Sequence, residues 1–117
     1  MGQLEILLRN GADVNTKDEK GFSLLMSCAK NNDIESIYVL LSYNVSLNSK
    51  DFFSFTALDY AIKENHLDVV KLLVNSGAII TDDSYMLAIG KNLKDIVSFF
   101  DTLDNDKQIF LKKEENR

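Results

Sequence analysis

Apolar positions along this chain fall into two alternating helical stripes. Leu25, Cys28 and Ala29, and later Leu58, Ala61 and Ile62, recur at the i, i+3, i+4 spacing that marks one face of a helix. These stripes predict short helices ending near Lys30 and Lys63. Ser23 and Thr56 stand just before them, where a hydroxyl can accept an otherwise free backbone N–H as an N-cap. A second stripe follows each time, Ile37, Leu40, Leu41 and then Val70, Leu73, Val74, which predicts helices over roughly 34–43 and 67–75. Asn32 and Asn65 sit at the break between the two helices, and Asn tolerates the left-handed backbone better than other non-glycine residues. Asn44 and Gly77 close the second helices, and Gly11 stands at the same place upstream. Irregular, partly extended loops then lead to the next pair. No such pair can bury its stripe alone, so successive pairs must stack.

The pattern has a fixed step. A shift of 33 residues superposes Asp18 on Asp51, Phe22 on Phe55, Leu25 on Leu58, Lys30 on Lys63, Asn32 on Asn65 and Leu40 on Leu73. One step earlier it pairs Leu7 with Leu40, Leu8 with Leu41, Asn15 with Asn48 and Lys17 with Lys50. After Gly77 the step shortens to 27, since Ala88-Ile89 aligns with Ala61-Ile62 and Asp95-Ile96-Val97 with Asp68-Val69-Val70. About six residues of the preceding loop are therefore missing, and Asp83 or Ser84 is the expected cap of the last pair.

The segments 11–33 (GADVNTKDEKGFSLLMSCAKNND) and 55–78 (FTALDYAIKENHLDVVKLLVNSGA) resemble the ankyrin repeat, a unit of a turn and two antiparallel helices. The family's T-P-L-H-x-A signature is present only as Thr56-Ala57-Leu58-Asp59-Tyr60-Ala61 and Ser23-Leu24-Leu25-Met26-Ser27-Cys28, without the Pro and the His. Loss of the hydrogen bonds around those two residues, and a lower stability, are expected from that departure. The resemblance implies an all-α fold, an ankyrin-repeat solenoid of stacked antiparallel helix pairs joined by hairpin-like loops. It divides a single domain (1–117) into a partial repeat (1–17), repeats at 18–50 and 51–82, a degenerate capping repeat (83–103) and a charged tail (104–117). The tail carries an Ile109-Phe110-Leu111 patch, expected to form a short helix or turn on the last unit. Opening on half a unit is expected to leave Leu4, Leu7 and Leu8 partly uncovered, so that further repeats N-terminal to this segment are one expectation.

Composition narrows the function classes. The 117 residues are 45% hydrophobic and 26% charged, which fits one folded domain rather than a disordered chain. One Cys and one His leave no disulfide framework and no familiar transition-metal cluster. A net charge of −5 opposes phosphate backbones and anionic lipid, so neither nucleic acid nor membrane is an expected partner. Glu5 and Arg9 interrupt the only apolar stretch near the N-terminus, so no signal peptide or membrane span is expected. An intracellular, cytoplasmic setting follows by default. A Pro-free, Asn- and Lys-rich composition is also the bias of AT-rich coding sequence, which leaves room for an exported effector acting in a host cytosol.

Candidate chemistry is sparse. Cys28 and His66 are the only nucleophile-and-base combination, yet Cys28 occupies a small apolar position and His66 an inter-helix turn, so both are read as structural. The glycines form no phosphate loop, and Asp101, Asp104 and Asp106 lack the Gly and distal Glu of a calcium loop. Asn44-Val45-Ser46 is a formal sequon without a secretory signal. No cofactor, metal, catalytic residue or small-molecule substrate is expected.

What remains is surface, and the resemblance implies that loop tips and first-helix edges form a concave protein-binding face. Carried over position by position, that face comprises Lys17, Glu19, Lys20 and Phe22 from the first tip, and Lys50, Phe52, Phe53 and Phe55 from the second. Lys30, Asn31, Lys63 and Glu64 come from the helix edges. Three Phe in Asp51-Phe52-Phe53-Ser54-Phe55 are unusual at a solvated tip. Phe55, matched by Phe22, is expected to fold back over the helix ends, and the others to act as aromatic anchors for a protein partner. A non-enzymatic interaction module is the leading reading. The alternatives are a small acidic inhibitor or immunity protein, which the lysines of this face disfavour, and regulatory repeats of a larger enzyme.

Overall fold

In a computed structural model describing residues 2–107, the chain folds into a lone helix followed by three antiparallel helix pairs. They are α1 (Gln3–Arg9), α2 (Leu24–Lys30), α3 (Ile34–Ser42), α4 (Ala57–Lys63), α5 (Leu67–Asn75), α6 (Asp82–Gly90) and α7 (Lys94–Lys107). The residues from 108 onward, including Ile109-Phe110-Leu111, lie outside the described part, whereas the backbone of 104–107 continues α7. The described residues form no strand, only an isolated antiparallel bridge between Lys17 and Ser23.

Most helix termini of the pairs are sealed locally. Ser23 and Thr56 accept the backbone N–H of Met26 and Asp59, each at 3.2 Å, as the N-cap spacing predicts. First helices end through Asn32, Asn65 and Asn92, at φ of 59°, 58° and 57°, followed each time by an N–H returning to the helix: Asp33 to Cys28, His66 to Ala61, Leu93 to Ala88. Gly11, Asn44 and Gly77 do the same for α1, α3 and α5, with Ala12, Val45 and Ala78 bonding to Leu7, Leu40 and Leu73. The last pair is capped by Thr81 rather than Asp83 or Ser84: its hydroxyl accepts the Ser84 N–H at 3.0 Å. The 27-residue offset holds at the end of α6 but not at its start, because Asp82 and Asp83 favour a helical first turn and lengthen the helix by two residues relative to α4.

Stacking places α2, α4 and α6 side by side, with α1 against α3 and α5 against α7 behind them. The body is elongated, 52 × 24 × 23 Å, as expected of units that touch only their neighbours. Positions related by the step are buried together: Leu25 and Leu58, Ile37 and Val70, Leu40 and Leu73. The 27-residue step continues the core through Ala88, Ile96 and Phe100, the counterparts of Ala61, Val69 and Leu73. At the opposite end Leu8 is buried, contrary to the expectation from a half unit, because α1 packs its face on α3; Leu4 is half-buried, and Leu7 and Ile6 are exposed.

Side-chain rungs tie the layers. Asn15 accepts the Ser46 N–H and Asn48 the Ile79 N–H, both at 2.8 Å, which gives the repeated Asn its role. The expected loss of bonds around the missing signature His is corrected in the second copy. Asp59 in that position accepts the Thr56 N–H at 3.1 Å and the Ser84 hydroxyl of the next pair, so a short carboxylate rebuilds the link across layers. Met26, its counterpart in the first copy, sets its sulfur 3.4 Å from the Ser23 nitrogen.

The α1–α2 and α3–α4 connections each project a tip. Asp18 and Asp51 organise them identically: each backbone N–H donates to the carbonyl of Phe22 or Phe55 at 2.9 Å, and each carboxylate accepts two tip N–H groups. The α5–α6 connection is confined to 76–81 and has no tip. Each tip turns through a left-handed residue, Gly21 at φ 78° and Ser54 at φ 69°. Ser54 bears the steric penalty that glycine escapes. Ser54→Gly is therefore expected to stabilise the fold by about 0.5–1 kcal/mol. Gly21→Ala is expected to destabilise it by about 1–3 kcal/mol, because a Cβ there would lie 3.1 Å from the Phe52 ring and 3.2 Å from the Asp51 Cα. Urea midpoints of the two variants check both signs; an unchanged Ser54→Gly midpoint would contradict the strain argument.

Candidate functional site

The two tips are joined directly. The Phe52 N–H donates to the Lys20 carbonyl at 2.9 Å, and the Phe52 ring lies over Gly21, where an added Cβ would come within 3.1 Å of it. Behind this junction Asp51 is buried. One of its oxygens accepts the N–H groups of Phe53 (2.9 Å) and Phe55 (3.0 Å), and the other accepts the Tyr60 hydroxyl. The carboxylate thus holds the tip backbone to helix α4.

Tyr60 is the hub of an aromatic floor. Phe22 meets it edge-on at 5.3 Å between centroids and 88°, and Phe55 at 5.6 Å and 63°. The Lys63 ammonium lies 4.5 Å from the Phe55 centroid and 5.4 Å from that of Tyr60. Phe22 and Phe55 are half-buried in this cluster, so the ring expected to fold back does so together with its counterpart one step earlier. Phe52 and Phe53 instead remain 76% and 63% exposed. Lys17, Glu19, Lys20, Lys30, Asn31, Lys50 and Glu64 are exposed, and Lys63 is half-buried against the rings. Structure therefore brings Lys20, Phe22, Phe52, Phe55 and Lys63 into one neighbourhood. It sets Lys17 and Lys50 where the two tips begin, with Glu64 at the far end of α4.

Sequence reasoning missed Tyr60 and the role of Asp51. The match of Asp18 with Asp51 was a usable signal, since a loop carboxylate kept at a fixed step suggests backbone N–H groups to satisfy. Tyr60 gave none, because its counterpart is Ser27.

Electrostatics do not indicate a reacting centre. Burial, then the nearby Asp33 carboxylate, outweigh a hydrogen bond from Ser36 and push the Cys28 thiol up to about 11, the reverse of an activated nucleophile. His66 is spent on structure, its Nε2 3.0 Å from the Lys30 carbonyl across the layer boundary. An open groove of about 380 Å³ at the α6–α7 turn is lined by Ile89, Asn92, Lys94, Val97 and Ser98, and among the described residues no hydrogen bond joins Lys94 to Ser98 as a nucleophile and its base would require. Among the described residues no group of three or more His, Cys, Asp or Glu is placed to hold a metal, and no helix is long and apolar enough to cross a membrane. The side chains of Asp104 and Asp106 lie outside the described part.

With this geometry the family is defined. A family model described as ankyrin repeats, in three copies, matches residues 2–84, and the chain belongs to that family. Ankyrin repeats are generally protein–protein interaction modules, typically without enzymatic activity. Comparison with curated proteins gave no match. The α6–α7 pair lies almost wholly beyond the matched residues, yet it stacks on α4 and α5 as the earlier pairs do.

Two titrations follow. Burial raises the Asp51 carboxyl, but the Tyr60 hydroxyl, the Phe55 and Phe53 N–H groups and the Lys63 charge together bring it below its ordinary 3.8. A lowered folded value means that its stabilisation is present above about pH 4 and is lost as the pH falls through that lowered value. Asp51→Asn is expected to lose about 1–3 kcal/mol at neutral pH, and the gap to the parent chain to close on acidification, as read from urea midpoints at several pH values. A gap independent of pH would refute the assignment. Cys28, pushed up to about 11 against an ordinary 9.0, is expected to alkylate about 10-fold more slowly with iodoacetamide in the native chain than in urea, the scarcer thiolate being partly offset by its greater nucleophilicity.

Proposed function

We propose that this chain works by binding a protein, without catalysis of its own, through the row formed by its two tips and the adjoining first-helix edges. That face consists of Lys17, Glu19, Lys20, Phe22, Lys50, Phe52, Phe53, Phe55, Lys63 and Glu64. The repeat division 1–17, 18–50, 51–82 and 83–103 belongs to the same reading, and an unpaired Cys28 suits a reduced, intracellular setting.

The exposure of Phe52 and Phe53, 76% and 63%, carries the proposal. Two large rings on a solvated loop lose free energy of hydration that a folded monomer could recover by turning them inward, as Phe22 and Phe55 are turned. Their backbone is already held by the Asp51 carboxylate and the Lys20 carbonyl, so little backbone freedom remains to be lost on association. Phe22, Phe55 and Tyr60 form the floor beneath them, and Lys63 lies across it.

The double variant Phe52→Ser/Phe53→Ser tests this. Affinity capture with the intact chain and the variant in parallel identifies the protein that is lost. Its measured affinity is expected to fall by roughly 2–4 kcal/mol, about 30- to 700-fold, with the melting temperature unchanged. A lower melting temperature with affinity retained would show the rings to be structural.

A further inference from the structure

The charges around the tips indicate what kind of protein segment they grip. The chain carries a net charge of −5, yet its lysines gather here. Lys17, Lys20, Lys30, Lys50 and Lys63 share the tips and first-helix edges with Asp18, Glu19, Asp51 and Glu64, a local sum of +1, which leaves −6 on the rest of the chain. Two of those four acids are already committed. Asp18 accepts the Lys20 and Phe22 N–H groups at 2.8 and 2.9 Å, and Asp51 is buried under the Phe53 and Phe55 N–H groups and the Tyr60 hydroxyl. Only Glu19 and Glu64 face solvent uncommitted. None of Lys17, Lys20, Lys30 and Lys50 is ion-paired among the described residues, and the Lys63 ammonium rests on aromatic faces. The arrangement is two exposed rings on a held backbone, in tips that also carry cations without an ion pair among the described residues, on a body that is otherwise negative.

Resting on the protein-binding reading above, we infer that the partner offers an acidic linear segment with a large apolar side chain, the apolar group seated on Phe52 and Phe53 and its flanking carboxylates on Lys17, Lys20 and Lys50. Complementary charge steers such a segment to the tips while the remaining surface repels it elsewhere, which fixes where on the chain it docks. An anionic bilayer would also attract rings and lysines. A broad charged plane, however, would meet the −6 of the rest of the molecule together with Glu19 and Glu64, and the Phe52 ring is laid over Gly21 rather than projecting freely. A narrow segment avoids both difficulties.

Selection of a displayed library of random peptides on the full chain tests the inference, with Phe52→Ser/Phe53→Ser and Lys20→Glu/Lys50→Glu as parallel baits. Among the described residues neither lysine side chain bonds to the fold, and Lys20 is used only through its backbone N–H and carbonyl, so the second bait is expected to melt with the parent. Enriched peptides are expected to place Asp or Glu on both sides of Leu, Phe or Trp. As soluble peptides they are expected to bind Lys20→Glu/Lys50→Glu at least ~10-fold more weakly and to lose affinity steadily with added salt. Binders that lack acids, or that tolerate the lysine reversal, overturn this inference and leave the tip reading intact if Phe52→Ser/Phe53→Ser still abolishes them. Binders indifferent to the Phe substitutions overturn the tip reading itself. Failure to enrich any peptide overturns the linear segment, and sedimentation of the chain with phosphatidylserine vesicles as readily as it binds peptide would assign the face to a membrane.

Discussion

Every helix up to α6 is seven to nine residues long, too short to persist alone in water. Each depends on the apolar seam where α2, α4 and α6 lie side by side, and on the parallel packing of the second helices behind it. Leu25, Leu58, Ile62 and Ala88 are sealed there only because a neighbouring layer covers them. Stability is thus shared between layers rather than held within any one. The Asn15, Asn48 and Asp59 bonds then fix how one layer sits on the next, a matter that greasy contact alone leaves loose.

Much of this was legible because it is local and periodic. Ser23, Thr56, Asn32, Asn65, Gly11 and Gly77 do their work on their own backbone or within a turn of it, so spacing alone exposed them. Thr81 was missed because a two-residue extension of α6 breaks the step at just one end of the helix. Asp59 was read as a loss because its partner, Ser84, lies in the following layer and outside the regular step. The site divides the same way. That Phe52 and Phe53 stand at a tip follows from the alignment, whereas the Tyr60 hub depends on side-chain directions that a one-dimensional pattern does not carry.

The two tips show how a small scaffold can keep large rings in solvent without disorder. The same Asp is used twice, but only in the second tip does its carboxylate also reach a phenol, and that phenol is pushed up to about 12 by burial and then by the Asp51 carboxylate itself. Half-buried Phe22 and Phe55 insulate this contact, which keeps it strong, while Phe52 and Phe53 sit outside it. Buried polar order and exposed apolar surface are two sides of one hairpin.

The connection between α5 and α6 occupies only 76–81, against 10–23 and 43–56 for the two before it. The row of projections therefore stops abruptly at Phe52 and Phe53, with nothing comparable beyond them toward α6. The row thus has a blunt shoulder at one end, formed by Phe52 and Phe53, and the first tip at the other. That lopsidedness gives the scaffold a heading: its two ends differ, so a chain laid along the row in one direction would meet other chemistry than in the reverse.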